Sequence, residues 1–357
     1  MNSTIGTAPD STTIRHAARL ILHGFLVMLA IGCEQVSDRL PPAACSTTTT
    51  SVVRLSTTGS DSTAILASIQ AITGIMMRSK IPVVVQGSGL LQLQSMGLDQ
   101  QPQMVKYSKS LAALRAIDCS NIYLLADEAP SVEIATGGSV MEDPETTVLV
   151  QTTRLGAEKE VAAAMGEWMT DSSAESLGGG WYWVKPKGTT RTLDSGDAAA
   201  AAALENALAG VPASSVTIGL RITDAMRDSL NEAMDEDGGM LTAALAGFED
   251  SMKSLQMASI GLQFGPKPEL RAAMAFENEA AAKEFNESWT STTRSLTSML
   301  GMMMASQAVD EEEEGGDAPP PMEPTMFSGM AEALAMKQDK QRLSLTIDDA
   351  GWRKLLP

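Results

Sequence analysis

Histidine is all but absent. The 357 residues hold two, His16 and His23, and both lie within the first 32 positions. If that segment is removed, no histidine remains, which excludes Ser-His-Asp and Cys-His nucleophile activation and histidine-ligated zinc. Aromatic residues make up only 4%, so the core must be built from Ala, Leu, Val, Ile and the 23 methionines, whose flexible thioethers fill irregular space. There is no Gly-x-Ser-x-Gly elbow, Ser-x-x-Lys, phosphate-loop, dinucleotide-glycine or Cys-x-x-Cys pattern. Basic residues are outnumbered, 26 to 44. A chain of this charge repels nucleic acid and anionic lipid, and no nucleic-acid partner is expected.

What is present begins at Arg15. Arg15-His-Ala-Ala-Arg19 precedes an apolar run from Leu20 to Ile31 that ends in Gly32-Cys33. A basic start, about a dozen apolar residues and a small residue at the cut are the parts of an export signal. The run is too short to cross a bilayer. Leu29-Ala-Ile-Gly-Cys33 resembles the lipobox of bacterial lipoproteins, which implies removal of residues 1–32 and lipidation of Cys33. The excised piece holds Arg15, Arg19 and Asp10, leaving 24 basic and 43 acidic residues and a formal charge of −19. Glu34 follows the cysteine where some bacteria place Asp for inner-membrane retention, so the resemblance favours the outer membrane, facing periplasm or surface. The several acyl chains of a lipoprotein hold stably where one would not.

Residues 33–50, with Pro41-Pro42 and four threonines, read as the lipidated cysteine and a flexible tether. The remainder is long enough for two domains. Strands are predicted at Ser51–Thr57, Ile81–Val85, Asn121–Ala126, Thr147–Thr152, Trp181–Val184, Ser215–Ile222, Ile260–Phe264, Leu270–Phe276 and Leu343–Ile347. Helices alternate with them, with Asp197 and Thr223-Asp224 as caps. Residues 306–325, with Glu311–Glu314 and Pro319–Pro321, read as an acidic disordered loop.

Three segments recur at nearly one spacing. Ala157-Glu-Lys-Glu-Val161 matches Ala281-Ala-Lys-Glu-Phe285 at an offset of 124, which also aligns Val148, Val150 and Thr152 with Ala272, Met274 and Phe276. Leu220–Ala225 matches Leu345–Ala350 at 125, and Glu205–Leu208 resembles Glu332–Leu334 at 126 or 127. Repetition in one order indicates an internal duplication. The expected fold is α+β, in two related halves over 51–214 and 215–357, each a mainly antiparallel sheet with helices packed on one face. The Pro266-Lys-Pro268-x-Leu270-Arg271 strand followed by the Ala281-Ala-Lys283 helix resembles exported bacterial proteins of uncharacterised role built from such duplicated units. That resemblance implies no activity.

Few residues stand out as a site. Trp181 and Trp183, on one face of a strand, either form a ligand-facing aromatic platform or fill space between sheet and helices. Cys45 and Cys119 either pair in an oxidising compartment or remain free thiols, with Cys119 as a small buried apolar residue. Glu311–Glu314 lacks the spacing of a calcium loop, and Met302–Met304 continues an apolar helical face suited to packing or to a partner. No catalytic residue, metal ligand or cofactor is expected. The reading is a non-enzymatic, lipid-anchored envelope protein that binds a partner or small ligand or serves a structural role. Two alternatives are a carboxylate-dependent glycoside hydrolase of envelope polysaccharide, with two acids beside Trp181 and Trp183, and a periplasmic carrier of an apolar ligand.

Overall fold

The computed structural model describes residues 39–60, 62–76, 102–127, 147–154, 156–169, 171–185, 193, 196–228, 247–313 and 325–355. Cys33, the strand expected at 81–85 and most of the loop around Pro319–Pro321 lie outside them. Two compact units divide the described chain. The first runs to Thr63 and resumes from Pro102 to Glu205, and the second takes 64–76 and everything from Asn206. The sequence division at 214/215 lies beyond this boundary.

The first unit contains β1 (Thr49–Ser56), α2 (Pro102–Arg115), β2 (Cys119–Asp127), β3 (Thr147–Thr152), α3 (Glu158–Gly166), β4 (Ser173–Gly178) and β5 (Trp181–Lys185). Between β1 and α2 in sequence comes α1 (Ser62–Met76), most of which belongs to the second unit. The strands lie in the order β4-β5-β3-β2-β1, every ladder antiparallel. A Gly179-Gly180 turn closes the β4–β5 hairpin with both residues at positive φ, which glycine adopts without strain. Gly180 is constrained further, because an added Cβ would stand 2.2 Å from the Thr152 carbonyl oxygen.

After α4 (Ala198–Leu208), which crosses the boundary, the second unit contains β6 (Val216–Arg221), a single helical turn α5 (Glu249–Met252), β7 (Leu255–Gln263), β8 (Glu269–Phe276), α6 (Glu279–Glu313), α7 (Thr325–Ala333), β9 (Lys337–Asp339), β10 (Arg342–Ile347) and α8 (Asp349–Leu355). Its strands lie in the order β9-β10-β8-β7-β6, again antiparallel throughout. Counted along the chain, both units read fourth, fifth, third, second, first. The architecture is α+β.

Helix starts follow from their caps. Asp197 Oδ1 accepts from the Ala199 and Ala200 amides at 2.8 and 3.1 Å, Asn278 Oδ1 from Ala281 at 2.9 Å, and Asp348 Oδ1 from Gly351 at 2.9 Å. Helix α6 then buries Ala281, Ala282 and Phe285 against Phe276, Phe248, Ile222 and Leu343, with the Phe285 ring 4.8 Å from Phe248 and 5.3 Å from Phe276.

Several expectations are corrected. Residues 40–50 are folded: Pro42–Ala44 form a 3-10 turn with proline at its first position, and Leu40, Ala44, Cys45, Thr49 and Thr50 are buried. The Cys45 carbonyl accepts from the Asp197 amide at 2.7 Å, and the Leu40 amide donates to the Glu205 carboxylate. Helix α6 continues through 306–313, because a run of Ala, Gln and Glu has high helix propensity even with acids at the unfavourable end of the dipole. In the first unit β3 is buried at all six positions, so that sheet is covered on both faces. Of the three repeated segments, Ala157–Val161 and Ala281–Phe285 both stand at the helix after the third strand. Leu220 and Leu345, by contrast, lie on first and fifth strands, and Glu205–Leu208 and Glu332–Leu334 lie on helices at different places in the order.

Two turn substitutions test this description through thermal unfolding. Gly180→Ala lowers stability by more than Gly178→Ala, since both demand positive φ but only the first meets backbone. Lys340, at φ 53 in the β9–β10 turn, is strained, and Lys340→Gly raises stability by about 0.5–1 kcal/mol.

Candidate functional site

Cross-strand register decides what each sheet shows to solvent. In the first unit Leu149 stands opposite Trp183 and Gln151 opposite Trp181. With Tyr123, Leu125 and Val52 they form one face. That face is closed. Trp181 is 2% and Trp183 3% exposed, and the Tyr123 ring lies 5.0 Å from Trp181. Lys185 Nζ sits 4.0 Å over the Trp183 ring and pairs with Glu175, the residue opposite Trp183 on β4. The structure therefore gives these tryptophans a packing role, and the ligand-facing alternative is corrected. Stacking, burial and one cation over the ring edge of the sheet account for their clustering.

The other face is closed by α3. The Tyr182 hydroxyl donates to the Arg154 carbonyl at 2.8 Å and accepts from the Ala157 amide at 3.0 Å, which pins the start of α3. Cys45 and Cys119 are free buried thiols, so the disulfide is corrected as well. Cys119 Sγ lies 3.5 Å from the Gln151 carbonyl, and Cys45 closes the 3-10 turn through its amide and carbonyl.

The second unit treats the corresponding positions differently. Ala273 and Ala275, 124 residues after Leu149 and Gln151, stand opposite Ser344 and Arg342. Lys337 on β9 pairs with Ser344 as Glu175 pairs with Trp183. Where the first unit has two tryptophans and a buried face, the second has Arg342, Ser344 and Thr346, all exposed. The apolar residues of β10, Leu343, Leu345 and Ile347, turn to the helix side. On the β7 side, this polar face is covered by the C-terminal end of α4. An added Cβ on Gly219 would stand 3.0 Å from Ala207, and the Ser259 hydroxyl donates to the Ala207 carbonyl. From β8 outward it is open. Arg271 there pairs with Glu269 through two hydrogen bonds, at 2.8 and 2.6 Å. Arg342 and Lys337 make no ion pair among the described residues. Sequence reasoning missed this face because no local run of cations marks it; it exists only once β8, β9 and β10 are paired.

Helix α6 offers a second surface. Asn286, Glu287, Thr290, Ser291, Arg294 and Ser295 line an open groove of about 360 Å³. Thr293 and Thr297 point inward, while Leu296 and Met299 are 47% and 41% exposed. The inward threonines spend their hydroxyls on carbonyls of their own helix, at 2.8 Å to Trp289 and 2.9 Å to Arg294. The side chains of Met302–Met304 lie outside the described residues. Asp250 is held below the ordinary carboxylate range by a hydrogen bond from Lys253 at 2.6 Å and its charge, on an exposed turn away from both surfaces. Among the described residues no group of three or more His, Cys, Asp or Glu could hold a metal ion, and no helix is long and apolar enough to cross a membrane.

No family model, curated protein or solved structure matches the chain.

The two faces differ in what their residues contribute to stability. Trp183→Ala lowers unfolding free energy by about 3–5 kcal/mol, whereas Ser344→Ala, at the corresponding register position, changes it by less than about 0.5 kcal/mol. Urea unfolding of the two variants checks the contrast.

Proposed function

We propose that this chain is a non-enzymatic, lipid-anchored binding protein of the bacterial envelope, built by duplication of one α+β unit. One half is closed and supportive, and the other presents a recognition face. The observation that carries the reading is the shared strand order of the two units with opposite treatment of one sheet face: buried tryptophans in the first, exposed Arg342, Ser344 and Thr346 in the second. A sheet face kept open and polar beside a covered counterpart suits association with something outside the chain.

The anchor rests on Leu29–Cys33, and the non-enzymatic character on the lack of histidine after position 32 and of catalytic motifs. The duplication is supported by the common strand order and by the offset of 124 that places Val148–Val161 on Ala272–Phe285. The other two repeats fall on non-equivalent elements and lend it nothing. Outer-membrane placement follows from Glu34.

Intact mass of the membrane-fraction protein tests the anchored state. The mass expected starts at residue 33 and carries lipid, and Cys33→Ala releases an unlipidated chain from the membrane. A mature protein of unmodified mass in the soluble fraction overturns the anchor.

A further inference from the structure

We propose that the open face of β8, β10 and β9 binds an acidic polysaccharide, a chain of uronate or similarly charged sugars. This rests on the recognition face proposed above and names its ligand class. The face carries Arg342 and Lys337, exposed and free of ion pairs among the described residues, with Arg271 farther along β8 opposite Thr346. Asp339 stands opposite Arg342 on β9 without a salt bridge to it. In a chain with 44 acidic residues, a surface where cations are unspent on the protein's own carboxylates is the place that can receive an anion.

Spacing and floor decide the class of polymer. Lys337 opposes Ser344, two residues from Arg342, so the two cations stand roughly one same-face step apart, about 7 Å along the strand and one strand spacing across. Arg271 opposes Thr346, about 13 Å farther along the same face. A polymer with negative charges spaced along an extended backbone meets these in turn, which a single small anion does not. Between the cations lie Ala273, Ala275 and the Ser344 and Thr346 hydroxyls, a level surface that offers hydrogen bonds to sugar hydroxyls. A peptide ligand would use side-chain pockets, and this face of small residues has none to offer. The edge strand β9 is only three residues long, so the ligand lies across the face and not along the edge as an added strand.

The test uses the mature full-length protein in detergent and isothermal titration with three probes of equal length: alginate oligosaccharide, neutral glucan and poly-glutamate. Alginate is expected to bind, glucan not, and poly-glutamate at least fivefold more weakly. The double variant Lys337→Ser/Arg342→Ser weakens alginate binding at least fivefold. A charge-matched control, Lys159→Ser/Lys267→Ser, removes two exposed cations elsewhere and leaves affinity within twofold. Equal loss in both variants, no loss in the first, binding of glucan as tight as alginate, or tighter poly-glutamate overturns the proposal. Failure of alginate to bind overturns this ligand class and leaves the lipid anchor standing, because the anchor is read independently from the mass at Cys33.

Discussion

The alternation of side chains across the antiparallel ladders is the constraint on which the rest of this protein depends. A slip of one residue in any ladder would turn an entire strand's apolar set to the other face. In the second unit that alternation separates Leu343, Leu345 and Ile347, buried toward the helices, from Arg342, Ser344 and Thr346, open to solvent. In the first unit it separates Tyr182, which ties down α3 through its hydroxyl, from Trp181 and Trp183, which fill the opposite face. The register at Gly179-Gly180 is therefore structural in consequence, since the turn sets which residues of β5 meet β3.

The same ladder is put to two ends. Burial of two tryptophans and Leu149 gives the first unit a sheet packed on both sides, an arrangement that adds apolar area at the cost of any free surface. The second unit gives up that area on β8 to β10. It compensates on the helix side, where three phenylalanines converge at 4.8 and 5.3 Å and Trp289 Nε1 donates to the Leu334 carbonyl at 2.7 Å. A half relieved of the need to cover one face can spend that face on recognition, and a partner half with both faces sealed contributes none.

Much of the fold was legible in sequence wherever the signal was local. Trp181–Val184, Thr147–Thr152 and Leu270–Phe276 announce themselves by β-branched and aromatic content, and Asp197 by its place before an alanine run. Strand β4, Ser-Ala-Glu-Ser-Leu-Gly, carries no such content and forms because β5 offers it a ladder. The three residues of β9 are too few to show a period. Residues 40–50 resemble a linker in composition, yet Leu40, Cys45 and Thr49 find burial and backbone partners that composition does not encode. The candidate site was the least legible part. Arg271, Lys337 and Arg342 are scattered over more than seventy positions, and only cross-strand pairing gathers them. The aromatic cluster drew attention because it is contiguous, and contiguity on a central strand reflects packing.

Hydroxyl-radical footprinting of the mature protein, read at Trp181 and Trp183 and at position 344 in a Ser344→Trp variant, tests most directly whether one ladder position is sealed in the first half and open in the second. The account predicts strong protection at 181 and 183 alongside oxidation at 344 at the rate of an exposed indole. Equal reactivity at the three positions would contradict it.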